Sequence, residues 1–269
     1  MSPGFRKTSS WPTPARRRPR SARRAVLLGV LVFASGCSFS NSKHWLARPK
    51  TSAQWLDQAL EAKEADDRRR GVVGLSESRD GRSDWAMKVY DTIARTDRDA
   101  MVRCAALQAM TPSAGAREVP TAVGLLSQER SKEIRPAPAA VRWEAAKLLL
   151  DIVRHGTYDV SGRKSIQDAF VERTRADKDR NVRLTAIDAL GYFPEKAVAD
   201  TLVDVLDSEE DFALVHAAEL SLILLTGQTH DHSAKAWRAW FAETKEPFAT
   251  AGAYPQAPEL NRSRWQWPY

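Results

Sequence analysis

The chain has 269 residues, of which 41 are Lys or Arg and 34 are Asp or Glu, a formal net charge of +7, and two cysteines. Eight of the cations lie in residues 1–36, which contain no acid, so residues 37–269 hold 33 basic against 34 acidic groups. That near-neutral balance excludes the whole-protein polyelectrolyte attraction on which non-specific nucleic-acid binding rests, and two cysteines exclude a disulfide-stapled fold.

In chain order, the first feature is a basic segment charged by Arg6, Lys7, Arg16, Arg17, Arg18, Arg20, Arg23 and Arg24. An apolar run follows over residues 25–33, about nine residues against the roughly 20 that a permanent membrane-spanning helix needs. It closes on Ala34, Ser35, Gly36 and Cys37, small residues directly before a thiol. This ending resembles the lipobox of bacterial lipoproteins. The resemblance implies that residues 1–36 are a removed signal peptide, that the Cys37 sulfur receives a diacylglyceryl group, and that its freed amine is acylated. Several acyl chains on one residue suffice for stable anchoring. Residues 37–50 then form a lipidated, short polar tether, and Ser38 in place of Asp implies transfer to the outer rather than the inner membrane of a diderm cell. With Cys37 a thioether, Cys104 is left to act as a small buried hydrophobe.

From there to about residue 246 one pattern recurs: Asp, an apolar residue at +3, Arg at +4, Ala at +7, and a small or apolar pair at +10 and +11. Two copies have identical spacing, Asp99, Val102, Arg103, Ala106, Ala109, Met110 and Asp179, Val182, Arg183, Ala186, Ala189, Leu190. Asp211, Leu214, Val215, Ala218, Ser221 and Leu222 keep the register without the Arg. Pro138, Val141, Arg142, Ala145, Leu148 and Leu149 replace the Asp by a helix-starting Pro. A degenerate first copy reads as Asp66, Arg69, Arg70 and Val73, so the starts are 66, 99, 138, 179 and 211. Periods in the 30s and low 40s with apolar positions three and four apart predict paired helices stacked as a solenoid. The second helix of each pair is predicted at 84–94, 118–127, 164–175, 196–206 and 233–244, each following its own motif helix.

The recurring string resembles HEAT repeats, including the subset named for the phycocyanin lyases, over roughly residues 64–244. The resemblance implies an all-α fold, a right-handed α–α superhelix of about five helix pairs occupying residues 51–246. It also implies a ladder of hydrogen bonds between Asp and Arg of successive repeats, assigned to Asp99, Arg103, Arg142, Asp179, Arg183 and Asp211. Independently of the family, an Asp at each helix start caps free N–H groups and suits the positive end of the helix dipole. The arginines at 68–70, balanced by Glu64, Asp66 and Asp67, read as a surface ion-pair network.

Catalytic signals are few. His230, Asp231 and His232 form the best candidate metal cluster, but lie in a loop without a His-Glu-x-x-His helix, and His44, His155 and His216 are scattered. Neither a phosphate-binding loop nor a Gly-x-Ser-x-Gly elbow is present. The acids between Asp207 and Asp211 read as a solvated junction. No enzyme, cofactor, resident metal, small-molecule substrate or nucleic-acid partner is therefore expected. Trp237 and Trp240 on one helical face either close the array or form a binding patch. Residues 247–269 form a Pro-rich tail ending in Trp265, Trp267 and Tyr269, which either packs back or serves as a recognition peptide. The expected function is a membrane-anchored scaffold binding protein partners in the cell envelope. The alternative is a lyase or isomerase related to the phycobilin lyases.

Overall fold

In the computed structural model, residues 49–127 and 136–252 are described, and they form helices joined by short connections. In chain order these are α1 (Ser52–Glu61), α2 (Ala65–Ser76), α3 (Asp84–Thr96), α4 (Ala100–Met110), α5 (Val119–Leu126), α6 (Ala139–His155), α7 (Val160–Ala176), α8 (Arg180–Leu190), α9 (Lys196–Ser208), α10 (Phe212–Thr226) and α11 (Ala234–Glu243). Their ends follow from local chemistry. Ser83, Asp99, Asp159, Asp179, Asp211 and Ser233 each cap the following helix by accepting a backbone N–H. Gly156 and Gly227 end α6 and α10 in the left-handed conformation, with φ of 64° and 71°.

The even-numbered helices α2, α4, α6, α8 and α10 carry the recurring motif and pack each on the next as one layer. The second layer runs through α3, α5 and α7, with α11 closing on α9. The layers meet over the motif's apolar positions: Val102, Ala106 and Met110, then Val141, Ala145 and Leu149, then Val182, Ala186 and Leu190, then Leu214, Ala218 and Leu222 are all buried. Alanine at +7 lets two backbones approach where a larger side chain would hold them apart.

The phase of the pairing differs from the expectation. Between helices consecutive in sequence, the extensive contacts join α1 to α2, α3 to α4, α5 to α6, α7 to α8 and α9 to α10, whereas α2 with α3 and α8 with α9 touch only slightly. The motif helix is thus the second member of each tight hairpin. In four of the five pairs the connection into the motif helix is only three residues long, at 62–64, 97–99, 177–179 and 209–211, while α5 and α6 pair although residues 127–138 separate them. A connection that short forces the helices it joins to lie antiparallel side by side.

The same shift supplies a helix that the repeat pattern did not reveal. α1 begins with a capping box in which Thr51 and Gln54 exchange hydrogen bonds. It lies so close to α2 that a Cβ on Gly71 would sit 2.3 Å from the Ala59 backbone nitrogen, and one on Gly74 would sit 2.4 Å from the Trp55 ring. Those glycines occupy the motif's +7 and +10 positions, counted from the Glu64 cap. Gly71→Ala is expected to destabilise the fold by about 1–3 kcal/mol, because overpacking against backbone outweighs the roughly 1 kcal/mol gained in helix propensity. Thermal unfolding checks this; a raised midpoint would contradict the close approach of α1.

Candidate functional site

The clearest built feature is a series of arginines passing between layers and copies. Each stands four residues after its helix cap and reaches toward the residue two before the next motif helix's cap. Arg68 clamps Asp97 with two hydrogen bonds, Nε to Oδ2 at 2.8 Å and Nη2 to Oδ1 at 3.0 Å. Its Nη1 donates to the Lys63 carbonyl at 2.9 Å. Arg103 donates from Nε to the Ala94 carbonyl at 2.8 Å and from Nη1 to the Pro136 carbonyl at 2.9 Å. Arg142 repeats the bidentate clamp on Asp177, with both bonds at 2.8 Å, and Arg183 bonds the Thr174 carbonyl and both carboxylate oxygens of Glu209. At the same position α10 carries Val215, and among the described residues no further motif helix follows it.

Two corrections follow. Asp99, Asp179 and Asp211 are not partners of these arginines. Asp99 and Asp179 each accept two backbone N–H groups, and Asp211 accepts from Ala213 N at 2.9 Å and pairs on the surface with Arg180. The acidic rungs are Asp97, Asp177 and Glu209, two residues upstream, and the signal for them is an acid-x-Asp linker before the motif helix. Second, Arg68 is 5% exposed and belongs to the ladder, while Arg69 and Arg70 make only surface pairs with Asp66 and Asp67. The first copy therefore starts at Glu64, not Asp66.

Burial alone would push the Asp97 and Asp177 carboxyls up. The guanidinium hydrogen bonds, the backbone N–H of Asp99 or Asp179, and the arginine charge together hold them below the usual carboxylate range. The hydrogen bonds that Arg68 and Arg142 donate to Asp97 and Asp177 raise both arginines against the opposing effect of burial, so both partners of each pair favour the charged state.

At the end of the array, Trp237 is fully buried and donates from Nε1 to Glu219 at 2.7 Å. The same carboxylate accepts from Thr229 Oγ1 at 2.7 Å and His230 N at 3.0 Å. Trp240, Phe241 and Phe248 pack around this anchor, which makes α11 a closing helix. Of the loop histidines, His230 lies edge-on against Trp237, whereas His232 faces His216 of α10. Among the described residues no group of three or more His, Cys, Asp or Glu is placed to share a metal ion.

Cys104 is buried in α4, and burial, with a contribution from the Glu144 charge, pushes its thiol up to about 11. Native protein is expected to resist thiol alkylation at neutral pH and to react fully at Cys104 once unfolded in urea, as read by mass spectrometry of its tryptic peptide. Cys37 and the tail beyond residue 252 lie outside the described residues. Among those described, no helix is long and apolar enough to cross a membrane.

The solvent face of the motif-helix layer presents equivalent positions copy after copy. At +9 stand Val73, Gln108, Lys147, Asp188 and Leu220; at +5, Trp143 and His216. Val73, Met101, Trp143, Phe212 and Leu220 are exposed large hydrophobic side chains on these helices. Polar contacts bridge neighbouring copies on this face: Gln108 to Glu144 at 3.0 Å, Trp143 Nε1 to Thr185 at 3.2 Å, and Arg154 to Tyr192 at 3.2 Å. Surrounding protein raises the Asp188 carboxyl against the pull of Arg154.

Two stacked helix layers with a clamp repeated at each step define an α-helical repeat solenoid. Residues 133–223, from just before α6 into α10, match the family profile of HEAT repeats. The chain has no significant match among curated proteins. The bidentate Arg68–Asp97 clamp, built like that of Arg142 and Asp177, carries the same architecture upstream of the matched residues.

Proposed function

We propose that this HEAT-repeat chain is a lipid-anchored scaffold of the cell envelope that binds partner proteins through the solvent face of its motif-helix layer. The observation that carries the reading is that five of the eight exposed large hydrophobic side chains among the described residues, Val73, Met101, Trp143, Phe212 and Leu220, lie on this layer, against Leu60, Trp85 and Val160 on the other helices. A stacked array displays such positions along a surface without needing a reaction centre. The anchor rests on the basic segment, the nine-residue apolar run and the small residues before Cys37. Ser38 favours the outer membrane in a diderm cell.

Two measurements test the halves separately. A photo-crosslinking residue placed at Trp143 or Leu220 should capture a saturable partner in intact cells, whereas one at Lys88 or Lys164 on the other layer should not. Equal capture from both layers, or none from either, would contradict the binding face. Mass spectrometry of the mature N-terminus should find acylated Cys37; an unmodified terminus elsewhere would remove the anchor and leave the binding face untouched.

A further inference from the structure

The loop before α11 holds an arrangement that neither the repeat nor the closing helix requires. Asp231 and His232 are consecutive non-glycine residues in the left-handed region, with φ of 51° and 65°. Such conformations cost free energy and persist only where surroundings enforce them. Here they deliver the His232 ring to His216, one turn beyond Phe212 on α10, with Nδ1 of His216 and Nε2 of His232 3.1 Å apart. Phe212 stacks on His216 at 5.7 Å with an interplanar angle of 11°, orienting that ring, and is itself 70% exposed. His216 is exposed and His232 half-buried, so solvent reaches the pair.

We propose that His216 and His232 form a two-imidazole binding site for a divalent transition metal of the zinc, nickel and copper type. Two neutral imidazoles in head-to-head contact share one N–H; for a metal to bind both facing nitrogens, the donor ring takes its other tautomer, its proton passing through solvent to its distal nitrogen, so that two neutral imidazoles present lone pairs. At a metal–nitrogen distance of about 2.05 Å, the observed 3.1 Å separation subtends an angle of about 98°, between the octahedral and tetrahedral values. The ring centroids, now 5.4 Å apart, must tilt outward for both lone pairs to converge, and the metal then sits on the solvent side. Water or a partner's side chain completes its coordination. Imidazole donors select borderline ions over magnesium or calcium, which prefer oxygen.

The full chain without a histidine tag is titrated with Zn2+, and separately with Mg2+, while the imidazole proton resonances are followed. Zn2+ should shift or broaden His216 and His232 with one-to-one saturation and leave His44 and His155 unmoved; Mg2+ should move none. His216→Ala and His232→Ala should each abolish the saturable response, with the helical circular dichroism signal unchanged. Unshifted His216 and His232 at excess Zn2+, an equal response of all the histidines, or saturable binding that survives either substitution would overturn the proposal.

Discussion

Asp177→Ala is expected to lower the unfolding free energy by about 3–5 kcal/mol, because it strands the Arg142 guanidinium between two helix layers. The Asp177 side chain is fully buried and that of Arg142 is 11% exposed, so water cannot replace the lost partner without opening the array. The double variant Arg142→Met with Asp177→Leu should lose much less, since removing both charges also removes the cost of keeping them from water. Urea unfolding followed by circular dichroism and by tryptophan fluorescence distinguishes the two. Equal losses in the single and double variants would mean that the clamp contributes shape and not charge pairing.

The same clamps give the stability a defined response to acid. A carboxyl held below its unfolded value of about 3.9 binds its proton more weakly in the folded chain than in the unfolded one. The contribution of Asp97 and Asp177 is therefore complete above about pH 4 and is lost as the pH falls through their folded values. The Asp97→Asn variant should show a shallower fall in stability below pH 4 than the parent chain.

Trp237→Ala should cost about 3–5 kcal/mol, the range for deleting a large, fully buried aromatic side chain. The damage should stay at one end, because each helix pair of a repeat array is supported only by its neighbours. Hydrogen exchange should accelerate for the amides of α11 while α2 to α6 keep their protection. Glu219→Leu should produce the same pattern with a smaller loss, about 1–3 kcal/mol, for leaving the buried indole N–H without an acceptor. Uniform loss of protection along the chain in either variant would show that the array unfolds as a single unit.

The periodicity of Val, Ala and Leu at +3, +7 and +11 determined the helical class, the number of motif helices and most of their buried faces, because burial on a helix obeys a 3.6-residue period that a sequence displays directly. The caps were legible for the same reason: Asp99, Asp179 and Asp211 act within three residues of their own positions. The pairing phase was not legible. A motif helix has a neighbour on either side in sequence, and only packing decides which it embraces. Nor did the repeat disclose α1, whose fit depends on Gly71 and Gly74 meeting Ala59 and Trp55 across two helices. The rungs Asp97, Asp177 and Glu209 lie 29, 35 and 26 residues from their arginines, a range too variable for any fixed spacing to reveal. His216 and His232, 16 residues apart, meet only because a left-handed loop turns one ring back onto the preceding helix. Contacts within a turn of helix are properties of sequence; contacts between helices depend on how close the backbones come, and only the tertiary structure sets that distance.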